Sequence, residues 1–173
     1  MKHTNSSQTN ADGLKINPHP EQHPLDGTDR EILQLLQEDA RISLSEVGRR
    51  VHLSQTAVAA RVRALEDAGI IIGYHAKVNT YKLGYPIMAI ILVKAATIRE
   101  AEQVSAIAVA IPEILESHRI TGDNGIVLKV IASSVARLDQ IIHDISAASA
   151  PTTCLVLATH FEARPVPTHE AES

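Results

Sequence analysis

The sequence is poor in the groups that mark an enzyme, a secreted protein or a membrane protein. A single cysteine, Cys154, in 173 residues excludes an internal disulfide and any cysteine-based metal site. A reducing, cytoplasmic location is the expectation, with Cys154 read as a small apolar residue on a buried strand. The longest uninterrupted apolar run, Ile87 to Val93, falls far short of the roughly 18 residues that a bilayer crossing requires. No apolar core follows the basic residue near the N-terminus, so a secretion signal is not expected. There is no Gly-rich phosphate loop and no nucleophile elbow, and the spacing of His3, His19 and His23 fits no compact metal site. No catalytic residue, metal or cofactor is therefore assigned, and the chain reads as a non-enzyme. Positive charge is also lacking: the formal net charge is -4. Any grip on nucleic acid must be local rather than by bulk charge.

What is present is a chain that is 45% hydrophobic, enough to bury two small cores. Residues 1–24 are polar and lack an apolar period, so they read as a disordered extension. Order is expected from Leu25. Thr28 and Glu31 have the spacing of a capping box, and Ile32, Leu35 and Leu36 continue a first helix to about Asp39. Ser43 and Glu46 open a short second helix, and His52, Leu53 and Ser54 form a turn. Ser54 then caps a third helix. At ~100° per residue, Val58, Val62 and Leu65 share one stripe of that helix and Thr56, Ala60, Arg63 and Asp67 the opposite one. Gly69 ends it, and Ile70 to Val78 read as a short β-ribbon.

From Ile87 the rhythm changes. A buried strand to Ala95 precedes a helix opened by Thr97 and Glu100 and stopped before Pro112. Strands at Ile114–Thr121 and Ile126–Ala132 flank a turn, a helix carries Val135, Leu138, Ile141, Ile142 and Ile145 inward, and a last strand spans Thr153 to Phe161. The fold class is thus α+β: a helix-turn-helix domain of residues 25–78, a linker at 79–86, a ferredoxin-like βαββαβ domain at 87–162, and a loose tail at 163–173.

Basic residues collect around the turn: from Ser45 to Lys77 there are five Lys and Arg against three Asp and Glu. Arg49, Arg50, Arg61 and Arg63 are placed to neutralise phosphates beside a groove, while Gln55, Thr56, Ala59 and Arg63 begin a helix able to meet base edges. The bland alternative is a trihelical packing module whose arginines sit on a solvated face.

The stretch from Leu25 to Asn79 resembles the N-terminal domain of the Lrp/AsnC, or feast/famine, transcription regulators. Leu25, Asp26, Asp29, Ile32 and Leu33 match its opening; Ser54, Val58, Arg61, Val62 and Leu65 its recognition helix; Gly69, Ile70 and Ile72 its exit. The likeness extends to about Phe161. It implies a DNA-binding regulator, with Arg49, Arg50, Ser54, Gln55, Thr56, Ala59, Arg61 and Arg63 toward double-stranded DNA. It also implies a homodimer or higher homo-oligomer built through the βαββαβ domains, and no membrane partner. An amino-acid effector is implied at Thr121, Gly122, Asp123, Asn124 and Gly125 with Thr152 and Thr153. Many members carry Gly-x-Tyr-Asp in this loop, whereas Asn124 and Gly125 hold the last two places here. Siroheme decarboxylases share the two-domain layout and supply an enzyme alternative; a non-DNA-binding interaction module is a third.

Overall fold

A computed structural model describes residues 24–123 and 125–168. Residues 1–23 with their histidines, Asn124, and residues 169–173 lie outside that description. The chain forms two compact units, one made of the described residues up to Lys77 together with those from Phe161 onward, the other of Val78–His160.

The first unit contains α1 (Gly27–Glu38), α2 (Leu44–Arg50) and α3 (Gln55–Asp67). Ile32, Leu33, Val47, Val51, Val58, Val62 and Leu65 form its buried core, each supplied by the apolar stripe of its helix. The start of α1 differs from expectation. Asp26, not Thr28, is the N-cap: its carboxylate accepts from the Asp29 N–H at 2.8 Å, and Asp29 accepts from the Asp26 N–H at 3.2 Å. The aspartate box lies two residues upstream, so Thr28 is already inside the helix when its turn to cap would come. Ser43 caps α2 and Ser54 caps α3 through their hydroxyls. Gly69, at φ +68°, ends α3 as its neighbours close a Schellman pair, Ile70 N–H to Leu65 O and Gly69 N–H to Glu66 O, both at 2.9 Å.

Two further expectations change in this unit. Residues 72–79 have no regular secondary structure, because a lone ribbon has no ladder without a second strand to pair with. The tail expected to be loose is instead fastened to α1. The Val166 N–H donates to Gln37 Oε1 at 2.6 Å, Gln37 Nε2 donates to the Val166 carbonyl at 3.1 Å, and Arg30 Nη1 donates to the Thr168 carbonyl at 2.6 Å. A primary amide offers the same donor and acceptor as a peptide group, so Gln37 pairs with Val166 as a strand neighbour would. Beneath Val166, Pro167 and Thr168 lies a cavity of about 430 Å³, floored by Leu33, Leu36, Ile70 and Ile71.

The second unit orders β1 (Ile87–Val93), α4 (Ile98–Ala110), β2 (Ile114–Arg119), β3 (Ile126–Ala132), α5 (Val135–Ser146) and β4 (Pro151–Leu155). Its antiparallel sheet runs β2-β3-β1-β4, the ferredoxin-like order. Alternation along β1 sends Ala89, Ile91 and Val93 into the core formed with Val104, Ala108, Leu138, Ile141 and Ile145 of the two helices. Met88, Ile90 and Leu92 point to the other face and are only half buried. β4 ends at Leu155, short of the expected Phe161, although the Val156 N–H still reaches the Met88 carbonyl at 2.9 Å. Cys154 is exposed rather than buried, because its register partner Ile90 places it on the face the helices do not cover. The presumed linker at 79–86 contains a turn in which the Leu83 and Tyr85 N–H groups return to the Asn79 and Thr80 carbonyls. Across the unit, Arg137 grips Glu113 in a two-point fork at 2.8 and 3.0 Å, so the start of α5 is tied to the residue before β2.

Candidate nucleic-acid interface

The turn between α2 and α3 is set by backbone packing. Gly48 is buried within α2, and a Cβ built there would lie 2.5 Å from the Leu53 carbonyl oxygen. The Leu53 N–H in turn donates to the Gly48 carbonyl at 2.9 Å. His52 adopts φ +57°, a left-handed conformation that reverses the chain between the helices. Gly48 was absent from the site residues read from the sequence, although glycine in the middle of a short helix, at a cost of ~1 kcal/mol against alanine, is itself a sign of close approach.

With the turn fixed, Ser54 begins α3 and Gln55, Thr56, Ala60 and Arg63 are exposed, while Ala59 is half buried. Ser54 spends its hydroxyl on the Ala57 N–H at 3.2 Å, which makes it the cap that aims the helix. The four arginines separate into three situations. Arg63 lies on the presented stripe with no ion-pair partner among the described residues. Arg61 lies about 200° around the helix from it and is committed to the domain: its Nη1 donates to Asp26 and Asp29, each at 2.7 Å. Arg61 thus joins α3 to the capped start of α1, a structural role that its expected place beside a phosphate did not include. Those bonds, after the Asp29 N–H, hold the Asp26 carboxyl below its usual range.

Arg49 and Arg50 share one carboxylate. Arg49 forks onto Glu46 through Nε at 2.9 Å and Nη2 at 2.7 Å, and Arg50 Nε donates to the same Glu46 at 2.9 Å. The glutamate therefore does not return to the Ser43 N–H as the second half of a capping box. Hydrogen bonds from Arg49, then Arg50, pull its carboxyl down to about 2 from the usual 4.5. A carboxyl depressed by folding stabilises the fold fully above its unfolded value and loses that contribution as pH falls through the folded one. The stability difference between the wild type and Glu46→Gln should therefore hold constant above pH 4.5 and close as pH approaches 2. Chemical denaturation across that window checks it; a gap that persists at the acid end contradicts the ion-pair origin.

The residues suggested for an effector fall into two places. The β2–β3 loop, with Thr121, Gly122 and Asp123 exposed, is closed by the Ile120 N–H on the Gly125 carbonyl at 2.9 Å. Gly125 packs against Ala95, where a Cβ would meet the Ala95 carbonyl oxygen at 3.3 Å. Pairing of Ile126 with Val93 and of Val93 with Pro151 brings this loop and the start of β4 to the same end of the sheet, about 10 Å apart across the intervening strand. Thr152 shares the uncovered face with Leu92, whereas Thr153, paired with Ile91, faces the helices. The two threonines thus place their side chains on opposite faces of the sheet.

A capped third helix presented by a tight turn, joined to a βαββαβ sandwich, defines a two-domain helix-turn-helix regulator. Residues 25–66 match the AsnC-type helix-turn-helix domain and residues 88–166 the Lrp/AsnC ligand binding domain. The chain belongs to the Lrp/AsnC family of transcriptional regulators. It is 38% identical to the HTH-type transcriptional regulator YezC of Bacillus subtilis over 78% of this chain and 95% of that protein. It is also 38% identical to the proline dehydrogenase transcriptional activator of Rhodobacter capsulatus, over 68% and 78%. Among solved structures, a Neisseria meningitidis transcriptional regulator in complex with L-Met superposes with a TM-score of 0.78 at 28% identity, covering 83% of this chain and 97% of that one. LrpC of B. subtilis gives 0.76 at 30%, covering 82% and 100%. The Bacillus YezC, Rhodobacter and Neisseria proteins are named as transcriptional regulators or activators, and the siroheme-decarboxylase alternative finds no support among these relatives.

Proposed function

We propose that this regulator binds double-stranded DNA in the cytoplasm as a homodimer or larger homo-oligomer, with α3 in the major groove. Gln55, Thr56 and Arg63 read base edges there, Ala59 permits close approach, and the Arg49–Arg50 pair at the end of α2 faces the phosphates, with Arg50 the arginine free to meet them. The observation that carries the reading is the Ser54-capped α3, whose exposed stripe is polar and small while Val58, Val62 and Leu65 are buried. A helix of that profile fits a groove about 12 Å wide.

Two features support assembly and control. Met88, Ile90, Leu92 and Val127 leave a half-buried apolar sheet face, which a second copy would cover. The L-Met complex of the Neisseria relative favours an amino acid or related metabolite as effector, at the loop of Thr121, Gly122, Asp123 and Gly125 together with Thr152. Gel retention of the DNA upstream of its own gene, with and without each of twenty amino acids, tests both ideas, and light scattering on the same samples gives the assembly. Retention that shifts with one amino acid is expected. Absence of retention at low salt would remove the DNA reading, and indifference to every amino acid the effector reading.

A further inference from the structure

Glu46 stands one helical turn before two adjacent arginines. At positions i+3 and i+4, Arg49 and Arg50 flank the same ridge of α2, so a single carboxylate reaches both. It takes the fork edge of Arg49 through two hydrogen bonds and the Nε of Arg50 through one. Their side chains are 72% and 48% exposed against 33% for Glu46. The acid is thus the sheltered member of the triad. The fork edge is also the edge with which a guanidinium grips a phosphate in two-point fashion. Arg49 cannot offer that edge to Glu46 and to DNA at once and keeps only Nη1 wholly free, whereas Arg50 keeps both terminal nitrogens.

We infer that Glu46 is a positioning residue that restrains sequence-independent DNA binding: it withholds the Arg49 fork from the phosphate backbone and leaves Arg50 to make the contact. Three charges here amount to one net positive charge, in keeping with a chain that carries -4 overall. Withdrawing one phosphate contact lowers affinity for every duplex alike and leaves the base-reading stripe of α3 as the part that distinguishes sequences. The inference rests on the DNA reading proposed above.

The test compares full-length wild type with Glu46→Gln and Glu46→Asp on two duplexes, the protein's own upstream DNA and one of random sequence, between about 50 and 200 mM salt. For Glu46→Gln, affinity for both duplexes should rise by roughly three- to tenfold at low salt. The slope of log affinity against log salt should steepen by about 1, with the order of preference unchanged. Glu46→Asp, too short to hold both guanidiniums, should fall between. The double variant E46Q/R49M should lose the gain. Melting temperatures accompany each measurement: a purely structural glutamate would move them and leave the salt slope alone. An unchanged or shallower slope in Glu46→Gln overturns the inference while the DNA reading stands. Wild-type protein that retains neither duplex overturns the DNA reading itself, and the inference falls with it.

Discussion

Replacing Gly48 by valine should cost about 3 kcal/mol of unfolding free energy, at the upper end of what overpacking usually exacts, and should abolish DNA retention. A Cβ at this position would lie 2.5 Å from the Leu53 carbonyl oxygen and 3.5 Å from the Ser54 carbonyl carbon. Those atoms are backbone, so no side-chain rotation relieves the clash. The turn must open instead, and with it the Leu53 N–H to Gly48 bond at 2.9 Å. Because Ser54 is the cap of α3, displacing Leu53 also turns the presenting helix. Gly48→Ala should show the same effects in milder form. Denaturation curves and gel retention read the two consequences separately; a valine variant as stable and as well retained as wild type would refute the packing account of the turn.

The second large effect concerns what α3 reads. Gln55→Ala and Arg63→Ala should each remove about 1 to 3 kcal/mol of discrimination at a base pair, changing which sequences are preferred more than how salt affects binding. Arg50→Met should do the reverse, weakening all duplexes similarly and reducing the salt slope by about 1. Competition binding against single-base variants of the upstream site distinguishes the patterns. A uniform loss for Gln55→Ala and Arg63→Ala would move those residues from the bases to the backbone.

Local signals were the legible ones. Ser54, Gly69 and the stripe Val58, Val62 and Leu65 describe α3 from end to end because caps and helical period act within a few residues. The strand and helix order of the second unit was equally legible, since apolar runs, the Thr97 cap and Pro112 punctuate it. At the start of α1 the Thr28–Glu31 spacing misled, because the Asp26–Asp29 box forms upstream of it. Distant pairing was invisible. Nothing near Arg61 in the chain announces that Asp26 and Asp29 will meet it, and nothing near Val166 announces Gln37. In the candidate effector site the order of residues could suggest Thr152 and Thr153 together. Only the register of β4 shows that strand alternation sends them to opposite faces.

The fastening of Val166 and Thr168 to α1 has a consequence for the order in which the protein is made. The reading head is built from residues before Lys77 and after Phe161, so the ribosome delivers its closing piece only after the whole βαββαβ domain has been synthesised. Until then Leu33, Leu36, Ile70 and Ile71 face a recess without its cover. A nascent chain completes its helix-turn-helix unit last, once the βαββαβ unit has been made.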